Sequence, residues 1–229
     1  MGNPVTYQFN LPADSAPENV QLHEEWYPGI IPYALTASAM RSVDPILGVR
    51  AVVIHATAGS SSSGAVSVIK SGTASFHWLV PDENEAAHGV AAWATCHEAR
   101  RAWHVRNSAS HPDVYHGENR VNDYSLGIEI VNTCEPNDPY SQWQVEQTAE
   151  IVRYCWEKYP NLKYIVSHAK LDPTRRKDPG SHFPWDQFRE MVLDASRIRR
   201  NDPAYEVARA TQNAAKIKEQ IIFDDPEER

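Results

Sequence analysis

The sequence has few cysteines and no excess of basic residues, and each shortage excludes a class of protein. The three cysteines, Cys96, Cys134 and Cys155, form no CxxC pair, so they predict reduced packing residues rather than a disulfide scaffold or zinc ribbon. Lys and Arg number 22 against 30 Asp and Glu, which gives a net charge of −8 at pH 7. Because no general basic field exists, we expect neither nucleic acid nor an anionic membrane surface as a partner.

Long apolar runs are also missing. No run approaches the roughly 18 residues of a membrane span, and residues 1–20 lack the basic and apolar regions of a signal peptide. The sequence has 229 residues, of which 41% are apolar and 23% charged. This profile is typical of one globular domain that buries its own core.

Strand and helix signals alternate along the chain, which predicts an α/β fold. Residues 1–45 carry six prolines and little periodicity, so we expect an irregular segment that wraps the core. Residues 46–200 form the predicted domain, and residues 201–229 a helical extension with an acidic tail. Continuous or alternating apolar runs predict strands near 49–57, 76–80, 125–132 and 163–167, and helical periodicity predicts helices near 63–69, 140–159 and 185–199.

Histidine is the conspicuous residue, with ten copies, and all but His23 lie between His55 and His182. Two predicted strands end in His55 and His168, at the sheet edge where ligands of α/β proteins collect. Asp178 follows in a Pro-Gly turn that can fold back toward His168. Two imidazoles and a carboxylate match the ligands of a catalytic zinc. Spacing alone leaves open the alternative that both histidines are hydrogen-bonded structural residues.

The strand over residues 125–132 alternates between two faces. Its large aliphatic residues, Leu126, Ile128 and Ile130, share one face, and Glu129 lies on the other. From the pattern alone, Glu129 is either a solvated strand residue or a carboxylate aimed at a site.

Five segments occur in the order and approximate spacing of a known family. They are VVIHATAG from Val52, FHWLV from Phe76, AWH from Ala102, NDYSLGIEIVN from Asn122 and SHAKLDPTRRKDPG from Ser167. Over residues 48–195 the chain resembles the zinc-dependent N-acetylmuramoyl-L-alanine amidases of type 2, in the peptidoglycan-recognition protein superfamily. The resemblance implies a central mixed β-sheet flanked by helices, and hydrolysis of the amide between N-acetylmuramic acid and L-alanine in peptidoglycan or muropeptides.

The resemblance also implies roles for individual residues. It assigns Zn²⁺ to His55, His168 and Asp178, and the catalytic acid to Glu129. Arg176 stands where the family commonly has a lysine that assists at the reacting carbonyl. Arginine keeps the positive charge but cannot release a proton, so we expect charge stabilisation from it.

Substrate contacts are predicted less narrowly. His104 lies where the family contacts substrate, and Trp103 and Trp93 are candidate platforms for sugar or peptide, with packing in the core as the alternative. His77 and His88 are candidates for places beside the metal ligands. Four arginines are candidates for binding stem-peptide carboxylates: Arg100, Arg101, Arg106 and Arg120.

Three questions stay open at this stage. A non-catalytic peptidoglycan-binding module is the alternative to an enzyme. The substrate is either intact wall, as for an autolysin or endolysin, or soluble muropeptide. The protein is accordingly expected in the cytoplasm, as a recycling enzyme or phage endolysin, or exported to the cell wall or periplasm, and its oligomeric state is not predicted.

Overall fold

A computed structural model describes residues 2–30, 37–85 and 91–200 of the chain. The predicted extension over residues 201–229 and His88 lie outside the described residues.

The secondary structure of these ranges alternates strands and helices. The strands are β1 Gln8–Asn10, β2 Ser15–Pro17, β3 Glu24–Trp26, β4 Ser38–Met40, β5 Ala51–Ala56, β6 Trp78–Val80, β7 Ala92–Ala94, β8 Arg100–Ala102, β9 Ser125–Ile130, β10 Tyr164–Ser167 and β11 Ile198–Arg200. The α-helices are α1 Ser62–Lys70, α2 Val121–Tyr124, α3 Gln142–Lys158, α4 His168–Leu171 and α5 Trp185–Val192. Short 3-10 turns cover Pro4–Thr6, Tyr115–Gly117 and Ala195–Arg197.

A seven-stranded mixed sheet organises the domain, in the order β1-β10-β5-β9-β6-β7-β3. The four central strands, β10, β5, β9 and β6, run parallel, and antiparallel pairs occur at β1/β10 and β6/β7. The predicted α/β domain with a central mixed sheet flanked by helices is therefore confirmed. Because the central strands are parallel, their carboxyl ends lie side by side at the same end of the sheet.

Both faces of the sheet are covered, which explains the continuous apolar runs of its central strands. All six residues of β5 are buried. Leu126, Ile128 and Ile130 of β9 pack in one core cluster with residues of α3 and α5, as their alternation predicted. Helix α3 begins at a capping box made by Ser141 and Gln144. No helix of the described ranges has the length and apolarity needed to cross a bilayer.

The N-terminal segment contributes more than the predicted wrapping. β1 pairs with β10 at one edge of the main sheet, and β3 pairs with β7 at the other. Tyr7 stacks on Trp185 with ring centroids 4.9 Å apart, and Phe9 joins the same core cluster. Strands of three residues are too short to show a period of two, so sequence periodicity could not reveal them.

Helix α5 is shorter than predicted. It ends at Val192, and the residues predicted to continue it form a 3-10 turn and β11 instead. The Asp194 side chain accepts a hydrogen bond from the Ser196 amide and begins the new turn. β11 then pairs with β2. The prediction of a helix to residue 199 was wrong because the local cap and this pairing override helical propensity.

Arg153 joins α3 to these terminal segments. Its side chain is 0% exposed, and the guanidinium donates to the carbonyls of Val192, Arg197 and Glu18, at 2.9, 2.8 and 3.1 Å. Its hydrogen bonds therefore hold α5, the 3-10 turn and the N-terminal segment against one helix.

Replacing Arg153 with methionine removes these three hydrogen bonds, including the one to the carbonyl of the buried Val192. We expect the free energy of unfolding to fall by about 3 kcal/mol or more, measured by urea denaturation. The matched control is Arg189→Met, at an exposed position of α5. Equal denaturation midpoints for the two variants would contradict this role.

Candidate metal centre and active-site cleft

Two histidines and an aspartate converge at the carboxyl edge of the sheet. His55 lies near the end of β5, and His168 follows the neighbouring parallel strand β10 directly. Their Nδ1 atoms are 3.0 Å apart. The Asp178 Oδ2 atom lies 3.0 Å from Nδ1 of His168 and 3.3 Å from Nδ1 of His55. The Ala169 amide donates to the Asp178 carbonyl at 3.0 Å, which holds the loop against α4.

These three atoms fit a zinc ion. Zinc–ligand bonds of about 2.0–2.1 Å in a tetrahedral site place neighbouring ligand atoms about 3.3 Å apart. The observed triangle has sides of 3.0, 3.0 and 3.3 Å. Nitrogen and carboxylate oxygen are donors that zinc accepts, and the same three residues form a group able to hold a metal. The predicted ligand set is thus brought together by the fold.

The protonation states also suit metal ligation. Burial and, after it, the nearby His168 lower the pKa of His55 to about 4, although Asp178 opposes part of the shift. Burial alone would raise the pKa of Asp178, but the neighbouring imidazoles of His168 and His55 outweigh this effect and hold that pKa below its usual range. A neutral imidazole and an ionised carboxylate are the forms that bind metal.

Glu129 lies beside this triangle. β5 and β9 pair in parallel with Glu129 directly opposite His55, so both side chains project from the same face of the sheet. Burial and the nearby Asp178 raise the pKa of Glu129 well above its ordinary value, and Arg176 opposes part of that shift. A carboxylate with a raised pKa is a stronger base than an ordinary one.

A cleft of about 540 Å³ contains all four of these side chains. The exposed Arg176 lines it, as its predicted role requires. Cys134 also lines the cleft and is half-buried, a position that the sequence did not indicate. Cys96 and Cys155 are buried in core clusters as expected, and all three thiols are free.

The structure places the three predicted substrate contacts in three different surroundings. Trp103 is 37% exposed and lines a second groove of about 460 Å³ that shares residues with the cleft. Trp93 is only 6% exposed and packs on Tyr27 in a core cluster, so its prediction as a substrate platform was wrong. An aromatic side chain fits either place, and its sequence context did not distinguish them. His104 lines both spaces, but its ring lies against His55.

Two of the four candidate arginines line the second groove, and two do not. Arg101 and Arg106 line the second groove, together with Arg175, which the sequence did not single out. Arg100 donates to Ser38, in the strand next to its own. Arg120 forms an ion pair with Asp123 and is absent from the described lining of the groove.

Two small residues of β9 support His104 and were missed from the sequence. The Ser125 hydroxyl lies 3.2 Å from Nε2 of His104. At Gly127, an added Cβ would come within 2.7 Å of Cγ of His104, so only glycine leaves room for the imidazole. Both residues share a strand face with Glu129, and their small size within SLGIE was the available signal. Burial, followed by nearby His55 and His77, lowers the pKa of His104 well below its ordinary value.

Comparison with known proteins identifies the family. A family model described as N-acetylmuramoyl-L-alanine amidase matches residues 45–181. The chain belongs to this amidase family.

Individual relatives agree with this assignment. The 1,6-anhydro-N-acetylmuramyl-L-alanine amidase AmpD of Escherichia coli K12 is 36% identical over 94 residues, 41% of this chain and 48% of AmpD. The amidase AmiD of the same strain is 28% identical over 163 residues, 66% of this chain and 57% of AmiD. AMPDH3 from Pseudomonas aeruginosa, solved with anhydromuramic pentapeptide, superposes with a TM-score of 0.55 at 27% identity, covering 66% and 63% of the two chains. The chain spans about half the length of AmpD.

The pKa of His55 makes the stability of the metal-free protein depend on pH. As pH falls, the unfolded chain protonates this histidine near its ordinary pKa of 6.5, whereas the folded chain does so only near 4. The unfolded state therefore binds more protons between these values, and stability is lost as pH falls through them. We expect the free energy of unfolding to drop about 1 to 2 kcal/mol more between pH 7 and 5 in the wild type than in His55→Gln. Identical pH slopes in urea denaturation of the two metal-free proteins would contradict this.

Proposed function

We propose that this protein is a zinc-dependent amidase that hydrolyses the bond between N-acetylmuramic acid and L-alanine in muropeptides. The observation that carries the proposal is the triangle of His55, His168 and Asp178 atoms, with Glu129 opposite His55 in the same cleft. Membership of the amidase family supports it. So do relatives that are named for the anhydromuramyl-L-alanine bond or solved with an anhydromuramic peptide.

The proposed metal ligands are Nδ1 of His55, Nδ1 of His168 and Oδ2 of Asp178. When bound, zinc supplies Lewis acidity and lowers the pKa of water toward about 7. Strands β5 and β10 and the loop before Gly180 carry these three ligands.

Glu129 is the proposed proton carrier. Its carboxylate accepts a proton from the attacking water and returns it to the departing amine of L-alanine. The raised pKa suits both halves of this transfer, since the carboxylate is basic enough to take the proton and acidic enough to release it.

Arg176 is the proposed partner of the charge that develops on the amide oxygen. It lines the cleft with Glu129, and its positive charge acts on the pKa of Glu129, so its field extends over the reacting region. A guanidinium stays protonated, which restricts Arg176 to electrostatic stabilisation.

The second groove is the proposed place for the peptide part of the substrate. Asp172, 1% exposed, accepts from Arg106 Nη2 at 2.9 Å, and Arg106 Nε lies 2.8 Å from its other oxygen. Arg175 approaches the same carboxylate at 3.6 Å. Two guanidiniums thus share one buried carboxylate, which leaves a net positive charge beside Trp103 for the carboxylates of a stem peptide.

Soluble muropeptides are the proposed substrates in preference to intact wall. A net charge of −8 gives the chain no general attraction to an anionic wall, so binding depends on the local cationic groove. Turnover on anhydromuropeptides should therefore exceed turnover on purified sacculi.

Two variants separate the metal ligand from the proton carrier. Glu129→Gln should keep one equivalent of zinc and lose about 10²- to 10⁴-fold in kcat, because only proton transfer is removed. Asp178→Asn should lose the metal as well as the activity, because a carboxylate ligand becomes a neutral amide. Zinc content is measured by elemental analysis after dialysis, and activity by chromatography of the peptide released from anhydromuropeptide.

Full activity of Glu129→Gln would contradict its role. A wild-type protein that binds both zinc and muropeptide without hydrolysing it would instead indicate a recognition module.

If the second groove binds the stem peptide, a substitution there should weaken substrate binding without affecting the metal centre. Arg106→Gln should raise KM about 10-fold for a muropeptide with free stem carboxylates while changing kcat little, because a charge-assisted contact is lost in both ground and transition states. The change should shrink on a substrate whose carboxylates are amidated. Arg189→Gln, at an exposed position on α5, is the control. An equal effect of Arg106→Gln on both substrates would refute carboxylate binding.

A further inference from the structure

A chain of buried hydrogen bonds leads from the backbone of α2 to the candidate metal centre. The direction of donation along this chain is fixed at Ser125. The Ser125 hydroxyl oxygen lies 2.7 Å from the Val121 carbonyl oxygen. A carbonyl only accepts, so the hydroxyl proton must lie on this bond. Towards every other neighbour, Ser125 therefore presents lone pairs.

His104 is the next member of the chain. Its Nε2 atom lies 3.2 Å from the Ser125 hydroxyl oxygen, which has no second proton to donate, so Nε2 must carry the hydrogen. The imidazole is 8% exposed, a burial that favours its neutral form. A neutral imidazole with its proton on Nε2 has a lone pair on Nδ1.

His55 receives this polarity from His104. Its Nε2 atom lies 3.0 Å from Nδ1 of His104, so the proton of this contact belongs to His55 Nε2. The lone pair of His55 is then on Nδ1. That is the atom 3.0 Å from Nδ1 of His168 and 3.3 Å from Oδ2 of Asp178.

We propose that Ser125 and His104 are positioning residues that fix His55 as its Nε2–H tautomer and so present Nδ1 to the metal. The inference rests on the proposed metal function of His55, His168 and Asp178. Reversing the polarity would turn hydroxyl lone pairs toward the Val121 carbonyl at 2.7 Å, an unfavourable contact in a buried site.

The surrounding structure fixes the position of His104. Gly127 provides the space beneath its ring. His77 in turn holds Gly127: the Gly127 amide donates to Nδ1 of His77 at 2.9 Å, and the His77 amide donates to the Gly127 carbonyl at 2.9 Å. The other imidazole of the centre differs, because Nε2 of His168 is buried without a hydrogen-bond partner among the described residues. This support is therefore specific to His55.

The tautomer is tested directly by nitrogen NMR of metal-free protein with ¹⁵N-labelled imidazoles, using His55→Gln and His104→Asn to assign the signals. Both His55 and His104 should be neutral and carry their proton on Nε2 at pH 7.5. Observation of the proton on Nδ1 of His55 would overturn the proposal, whether or not the protein binds zinc.

A matched pair of variants tests the consequence for metal affinity. In His104→Asn the amide oxygen can replace the Nδ1 acceptor, whereas His104→Leu supplies no acceptor. Removing a residue that orients a metal ligand weakens metal binding about 10- to 100-fold, so the dissociation constant for zinc should rise by that factor in the leucine variant and much less in the asparagine variant. His116→Asn, at an exposed position with positive φ that asparagine tolerates, is the control.

Ser125→Ala provides a second variant in case His104→Leu does not fold. It should leave Nδ1 and Nε2 protonation of His104 mixed in the NMR spectrum and weaken zinc binding, while circular dichroism of the metal-free protein stays unchanged. Equal zinc affinities in wild type, His104→Leu and Ser125→Ala would overturn the positioning role alone. Failure of the wild type to bind zinc would instead refute the proposed function.

Discussion

The contact of one carboxylate with two imidazoles at the edge of a parallel sheet is the interaction on which the site depends. Asp178 brings a negative charge into a largely buried place, which is favourable only if that charge is compensated. Without a metal, only part of that compensation is available: Nδ1 of His168 lies 3.0 Å from the carboxylate oxygen and can donate to it, whereas Nδ1 of His55, at 3.3 Å, presents a lone pair. A divalent cation bound among these three atoms would compensate it more fully, which supports the proposed metal centre.

The sheet meets this constraint by dividing the work of β9 between its two faces. Leu126, Ile128 and Ile130 anchor the strand in the core against α3 and α5. The alternate residues belong to the site. Ser125 accepts a hydrogen bond from His104, Gly127 leaves room for the His104 ring, and Glu129 lines the cleft. Apolar packing on one face of β9 thus sets the position of the polar groups on the other face. Substitutions in the core are therefore expected to displace the side chains of the proposed metal centre.

Sequence reasoning reached His55 and His168 because residues at the ends of neighbouring parallel strands must converge. It placed Glu129 on the correct face because a strand has a period of two. Asp178 lies in a loop, where no periodicity exists, and only the Pro-Gly turn and the family resemblance pointed to it. Where the family motif ended, tertiary packing decided the outcome: Trp93 became a core residue, and Cys134 came to line the cleft.

Other features depended on contacts that are remote in sequence. The edge strands of the N-terminal segment are defined by pairing with β10 and β7, and the early end of α5 by a local cap and pairing with β2. Arg175 acquires its place in the groove by sharing Asp172 with Arg106. Neither pairing nor a shared counterion leaves a periodic signal in one sequence.

X-ray absorption at the zinc edge of the metal-loaded protein tests the central claim most directly. The account predicts scattering from two imidazoles and from oxygen donors at about 2.0–2.1 Å, with no sulfur neighbour. A sulfur shell at about 2.3 Å, placing Cys134 on the metal, or a third imidazole, placing His104 there, would contradict it.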